Sequence, residues 1–294
     1  MSDLPPQRME EHLPGMEELG VMDATRMGWR LLMSDFWPIW LLGLVVVAIQ
    51  MGCSLVGSIP YIGGCFSLAL AIFLQPPLYA GLFYAVARVI DGQKAMAGQV
   101  FEGFRQRYWP SVVANLLPVA IGFGFGLVVG GLMFGMVFAT QGAGGDEEAF
   151  IIIAVLVAIP LAVIFALVML LFVFSMLAVW DYPESGWEAM KASVRVVKAH
   201  YLSMLGAGLL FGLIGLGAYL AGLIACCVGI FFTIPVIMVW FTAALVYLYR
   251  SWTGQPLTQA LAEGVADEFP PPPGEGYEGG EGPVPPSDIE MPPT

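Results

Sequence analysis

AFIIIAVLVAIPLAVIFALVMLLFVFSMLAV, residues 149–179, decides the fold. The stretch contains no ionisable side chain, and it exceeds the roughly 20 helical residues that cross a hydrocarbon core. Water could not solvate such a segment, whereas a bilayer would. In lipid each backbone N–H and C=O must be paired within its own segment, and the stretch lacks the in–out alternation of a barrel strand, so a helix is required.

Five further stretches of the same kind lie on either side, near 36–58, 66–89, 111–139, 202–226 and 229–249. The expected fold class is therefore all-α, a polytopic transmembrane bundle of six spans. Composition agrees: 58% of the 294 residues are hydrophobic and 12% charged, where a soluble chain is about one-quarter charged. Pro76, Pro77, Pro118, Pro160 and Pro235 fall inside spans, where membrane helices tolerate them as kinks.

The charges mark the ends. Residues 1–35 carry seven acids and three arginines, and residues 251–294 carry eight acids without Lys or Arg, so the net charge of −12 comes mostly from the tails. The eleven cations sit at Arg8, Arg26 and Arg30, at Arg88, Lys94, Arg105 and Arg107, at Lys191, Arg195 and Lys198, and at Arg250. The connections near 59–65, 140–148 and 227–229 have none. By the positive-inside rule both termini are expected in the cytoplasm, with Asp146-Glu147-Glu148 outside. A bacterial inner membrane is the expected location. The polar, acidic, proline-interrupted start is not expected to be a cleavable signal peptide. Tryptophans and tyrosines near span ends, Trp37, Trp109, Trp180 and Tyr201 among them, fit an aromatic belt.

Residues 1–20 are expected to be a disordered acidic tail, 21–255 the six-helix transmembrane domain, and 256–294 a mostly disordered tail rich in Pro, Gly and Glu. Amphipathic segments on the cytoplasmic side lead into spans one, three and five. In 184–201, Trp187, Met190, Val194, Val197 and Tyr201 recur at helical spacing opposite Glu188, Lys191, Arg195 and Lys198. In 94–109, Val100, Phe101, Phe104 and Tyr108 oppose Lys94, Arg105 and Arg107. Residues 21–35 form a weaker third case. These cations, Lys94, Arg105, Arg107, Lys191, Arg195 and Lys198, are the expected contacts to inner-surface lipid. Arg88…Gly92-Gln93 and Arg250…Gly254-Gln255 end two returning spans alike, as an internal repeat or a duplicated hairpin would.

The arrangement over roughly residues 25–255 resembles a broad group of bacterial six-span integral membrane proteins, often labelled as a glycerophosphoryl diester phosphodiesterase membrane domain. The resemblance rests on the Ile59-Pro60 turn, Gln75-Pro76-Pro77-Leu78 with Gly81, Arg88…Gly92-Gln93, and Ala189…Ser193. It implies membrane residence and this topology. It does not imply hydrolysis, because the phosphodiesterase name belongs to a separate soluble domain, for which this chain is expected to have no room.

Chemistry-bearing residues are few. The spans hold no carboxylate, Lys or His, and Arg88 stands at a span end, which argues against ion-coupled transport. Gln50, Gln75 and Asn115, with Thr233 and Thr242, are expected to bond between helices or to line a polar pathway. Glycines four apart, such as Gly122, Gly126 and Gly130, are expected to let helices approach closely, within one chain or between two copies. The Gly122–Gly126 run has no nucleotide-loop context. His12 and His200 are too few for a zinc centre or a catalytic dyad. Cys53, Cys65, Cys226 and Cys227 sit near outer span ends, where either packing or a bridge from Cys65 to Cys226 or Cys227 is possible. Phe269-Pro270-Pro271-Pro272-Pro273 could dock a soluble partner.

No catalytic, cofactor or metal site is expected. The expected function is a non-enzymatic membrane scaffold or accessory protein, with a transporter or lipid-handling protein for a neutral or amphiphilic substrate as the alternative. Expected partners are membrane lipids, another membrane protein or a second copy, and a soluble protein for the tail. Nucleic acid is disfavoured by the shortage of Lys and Arg.

Overall fold

A run such as 36–57, apolar throughout and free of charge, can satisfy its backbone in lipid only by coiling, and it does so as one 22-residue helix. The computed structural model describes residues 20–59, 63–143, 147–224 and 228–254. The expected tails, the Asp146-Glu147-Glu148 side chains, and Cys226 and Cys227 lie outside that description.

Among the described residues helix is the sole regular structure. Its elements are α1 (Val21–Ser34), α2 (Phe36–Gly57), α3 (Gly63–Phe73), α4 (Gln75–Ile90), a 3-10 turn (Ala97–Phe101), α5 (Glu102–Gln106), α6 (Tyr108–Ala143), α7 (Glu147–Leu170), α8 (Ser175–Ala178), α9 (Gly186–Ala199), α10 (Tyr201–Ile224) and α11 (Val228–Thr253). Six segments are long and apolar enough to cross a membrane: Phe36–Gly57, Gly63–Ile90, Tyr108–Gly135, Leu156–Ala178, Tyr201–Gly222 and Phe231–Thr253. The protein is an all-α bundle of six candidate spans.

Two spans are interrupted, each for a visible reason. Pro76 and Pro77 occupy the first turn of α4, where missing N–H groups cost nothing, so the second span restarts there after α3 ends at Phe73. In the fourth span α7 gives way at 171–174 to tight i→i+3 turns before α8. Ser193 of α9 donates to the Leu171 carbonyl oxygen at 2.9 Å, satisfying an acceptor at that break.

Burial is uneven. α4 and α11 form the centre, with Leu78, Leu82, Phe83, Val86, Val239, Tyr247 and Leu248 buried. In the fourth span no residue from 156 to 173 is buried and only Phe174–Ala178 at its end are, and Tyr108–Gly135 and Tyr201–Gly222 have few buried residues. The α6–α7 hairpin and α10 therefore turn most of their surface to the surroundings.

The leading helices behave differently from a freely floating amphipathic strip. α1 lies on α11, the 3-10 turn with α5 lies on α4, and α9 lies on α8 and the start of α6. Segment 94–109 is not the single helix its periodicity suggests. Lys94–Met96 has no regular structure, and the 3-10 turn and α5 follow as two short pieces before α6 begins at Tyr108. The 184–201 helix is present as α9, but its buried face runs through Gly186, Ala189, Met190, Ser193 and Val197, while Trp187 is 49% exposed. Small residues define the docking face, because close backbone approach outweighs the burial of a large ring there.

Each leading helix docks through one glycine. A Cβ at Gly103 would overlap the Pro77 carbonyl oxygen and crowd the Gly81 nitrogen, and one at Gly186 would overlap the Pro110 carbonyl oxygen and crowd the Ala114 nitrogen. At Gly28 the added Cβ would meet the Trp240 oxygen and the Ala244 nitrogen at 3.1 Å. In each case a glycine sits across a carbonyl and the nitrogen four residues on. Each glycine also precedes an aromatic residue, in Gly28-Trp29, Gly103-Phe104 and Gly186-Trp187. The two like-ended returning spans agree as well: Gly92 and Gly254 both take positive φ, at 76° and 67°, a conformation that costs glycine little.

Candidate functional site

A groove of about 470 Å³ with polar groups in its lining is walled by α2, α4, α10 and α11, within the 300–1,000 Å³ range of small-molecule sites. α2 leads away from α1, and at 1.5 Å per residue Gln50 lies roughly 10 Å in from the far end of α2. The groove therefore sits within the apolar zone, toward the end of the bundle remote from the cations. Gln50 Nε2 donates to Tyr79 Oη at 2.5 Å, joining α2 to α4. Val47, Met51, Ile234, Ile237 and Met238 supply apolar wall, and Gly215 and Ala218 leave room on the α10 side. Ser54 and Thr233 also line it, but their hydroxyls donate to carbonyl oxygens of their own helices, those of Gln50 and Gly229. No ionisable acid or base is among the lining residues apart from the phenols of Tyr79 and Tyr219.

A second polar cluster holds the opposite end together. Tyr84 and Trp180 stack with centroids 4.3 Å apart, and Trp180 Nε1 donates to the Ala80 carbonyl oxygen at 2.9 Å. The Arg88 guanidinium lies over Tyr84 at 5.5 Å and that of Arg107 over Trp180 at 5.6 Å. Both Nε atoms are buried without a hydrogen-bond partner among the described residues, and a ring face lies against each guanidinium. Each such contact contributes about 0.5–2 kcal/mol. Arg250 grips Asp91 through Nη1 at 2.6 Å and Nη2 at 3.1 Å. Tyr249 Oη donates to Asp181 at 2.6 Å. Burial pushes the Tyr182 phenol above its ordinary value while Arg195 pulls it the other way. His200 stacks on Trp252 at 4.6 Å, as a boundary residue would. This cluster ties α4, α8 and α11 at one end, and its contacts are structural.

The residues singled out in the sequence separate accordingly. Gln50 lines the groove. Asn115 donates to the Ala71 carbonyl oxygen at 3.3 Å, bonding α6 to α3. Gln75 begins α4 and does not line the groove. The three therefore form no continuous pathway. Thr242 back-bonds to Met238 within α11. Lys94, Arg105, Lys191, Arg195 and Lys198 are exposed, with Arg105 and Lys191 paired to Glu102 and Glu188 of their own helices. Arg107 is half-buried on Trp180. Cys53 and Cys65 are free thiols. No cluster of three or more His, Cys, Asp or Glu that could hold a metal occurs among the described residues. Of the glycines four apart, a Cβ at Gly122 would touch Phe165 at 3.8 Å, whereas one at Gly126 or Gly130 meets nothing within 4 Å among the described residues.

Tyr79, Tyr219 and the docking glycines were not singled out beforehand. Aromatic residues beside a glycine three times over were the available signal for the docks. Tyr79 offered none, since a tyrosine in a span reads as packing until its partner on another helix is known.

Residues 39–265 match the family model described as "Domain of unknown function (DUF7847)". No curated protein matches, and no solved structure matches.

Proposed function

We propose that this chain, which belongs to the DUF7847 family, is a non-enzymatic scaffold or accessory protein of a bacterial inner membrane, with both termini in the cytoplasm. The supporting observation is the lopsided packing. α4 and the second half of α11 are largely buried, whereas the α6–α7 hairpin leaves its apolar face and open glycines uncovered. Small residues at four-residue spacing let a foreign transmembrane helix approach closely. The cations of α9 and the 3-10/α5 segment face away from the bundle and add attraction to anionic lipid. The test is co-purification from mild detergent and fluorescence transfer in vesicles between tagged copies, or between the chain and a membrane partner. Gly126→Leu with Gly130→Leu should abolish association without lowering the melting temperature. Association that survives both substitutions, or its absence in the wild-type chain, overturns the scaffold reading.

The groove favours a second reading, a lipid-handling protein for a neutral amphiphile. It does not extend through the bundle among the described residues, so it supports binding more directly than passage.

A further inference from the structure

The Gln50–Tyr79 pair keeps hydrogen-bonding capacity that it does not use, beside an open groove. The amide and the phenol together carry three donor hydrogens, and among the described residues their side chains make one hydrogen bond, to each other. Whichever way the amide is turned, two donors are left over. In hydrocarbon no water is at hand to take up such donors, and each one left unmet costs free energy. The groove beside the pair is apolar along Val47, Met51, Ile234 and Met238 and has no charged lining residue.

From this geometry we infer that the groove binds one neutral, single-chain lipid whose hydroxyl, ester or ketone oxygen accepts from the Gln50–Tyr79 pair while its chain lies along α10 and α11. Exclusion of a charged head follows from the absence of a counter-charge in an apolar zone, where an unpaired charge is disfavoured. The inference is independent of the scaffold reading and deepens the lipid-handling one by naming the ligand class.

The probe is a monoacylglycerol carrying a diazirine in its acyl chain, added to the full chain reconstituted in phosphatidylcholine nanodiscs. A lysophosphatidate with the same chain serves as the charged comparison. The neutral probe should label peptides containing Met51 or Tyr219, in competition with unlabelled monoacylglycerol. Tyr79→Phe with Gln50→Leu, which keeps the side-chain volumes and removes the donors, should reduce that labelling roughly tenfold, as losing hydrogen bonds in a dry site does. If the double variant melts early, Tyr79→Phe alone and Ala218→Phe, which fills the groove from α10, carry the test. Equal labelling by both probes, or labelling unchanged in the donor-free and filled variants, overturns the inference. Movement of the same lipid between leaflets is measured separately in vesicles. Labelling without movement keeps the site and removes lipid transfer from the second reading.

Discussion

Replacing the docking glycines by alanine gives a graded series whose order follows from where each new methyl would land. At Gly103 and Gly186 the Cβ would overlap a backbone carbonyl oxygen, and below 3.0 Å the backbone itself must move. Overpacking of this kind costs ~1–3 kcal/mol, and for a chain of this size each kcal/mol lowers the melting temperature by about 2–4 °C. Gly103→Ala and Gly186→Ala should each melt about 2–12 °C early. At Gly28 the nearest atoms stand at 3.1 Å, so a shift of a few tenths of an ångström suffices. Gly28→Ala should stay within ~1 kcal/mol of wild type, because alanine gains about 0.5–1 kcal/mol over glycine in a helix. Gly212, in α10, meets nothing within 4 Å. Gly212→Ala should therefore melt slightly later than wild type. The assay is thermal unfolding in nanodiscs followed by circular dichroism, with all four variants in one lipid composition. If Gly103→Ala and Gly186→Ala melt with Gly212→Ala, the glycines are not the contact points, and the docking argument fails.

Cysteine labelling in sealed vesicles should find positions in 91–109 and 181–200 accessible from the cytoplasmic side and 140–148 from the other, and external labelling of 94–109 would reverse the orientation. Asp91→Asn should lower stability by about 1 kcal/mol, discounted because Asp91 is 40% exposed, and Arg250→Lys should lose much the same through its bidentate geometry; an unchanged melting curve in both would show that the pair contributes nothing. Lys191→Glu with Arg195→Glu and Lys198→Glu should weaken binding to anionic vesicles by ~1 kcal/mol per removed cation, measured by co-flotation at low and high salt, and salt-insensitive binding would contradict this. Truncation after Asp267 should leave extraction and thermal stability unchanged, since 264–294 has few large apolar side chains to bury; early melting would mean the tail packs on the bundle.

The spans were legible because hydropathy depends on each residue alone, and lipid imposes one answer on a long apolar run. Expected boundaries such as 36–58 and 66–89 stand within a few residues of Phe36–Gly57 and Gly63–Ile90. The leading helices were legible in part. Periodicity located α9 and α1 and placed Met190 and Val197 on the apolar face, where both are buried, but it did not show that Gly186, Ala189 and Ser193 share that contact while Trp187 stays half exposed. It also joined the 3-10 turn and α5 into one helix, because aromatic spacing does not reveal the crossing at Gly81 and Gly103 that fixes that segment against α4. The groove was half legible: Gln50 is conspicuous as a polar residue in an apolar run, while its partner Tyr79 lies on another helix. Pairings across such distances are set by packing, which a single-sequence pattern does not encode.

α1 precedes every span, yet its resting place is the last one. Trp240 Nε1 donates to the Thr25 carbonyl oxygen across 215 positions of sequence, and Trp29 meets Trp240 edge-on at 4.9 Å. At about 5–20 residues per second, a ribosome takes roughly 10–40 s to make the intervening chain. For that interval Met27, Leu31 and Leu32, all buried in the finished protein, lack α11, the helix on which α1 chiefly rests. The newborn protein must lay α1 on the bilayer surface or on an insertion factor, then surrender it when α11 arrives. Completion of the final helix is thus the event that latches the first, and a chain stalled before Trp240 would leave the ribosome with its opening segment still adhesive.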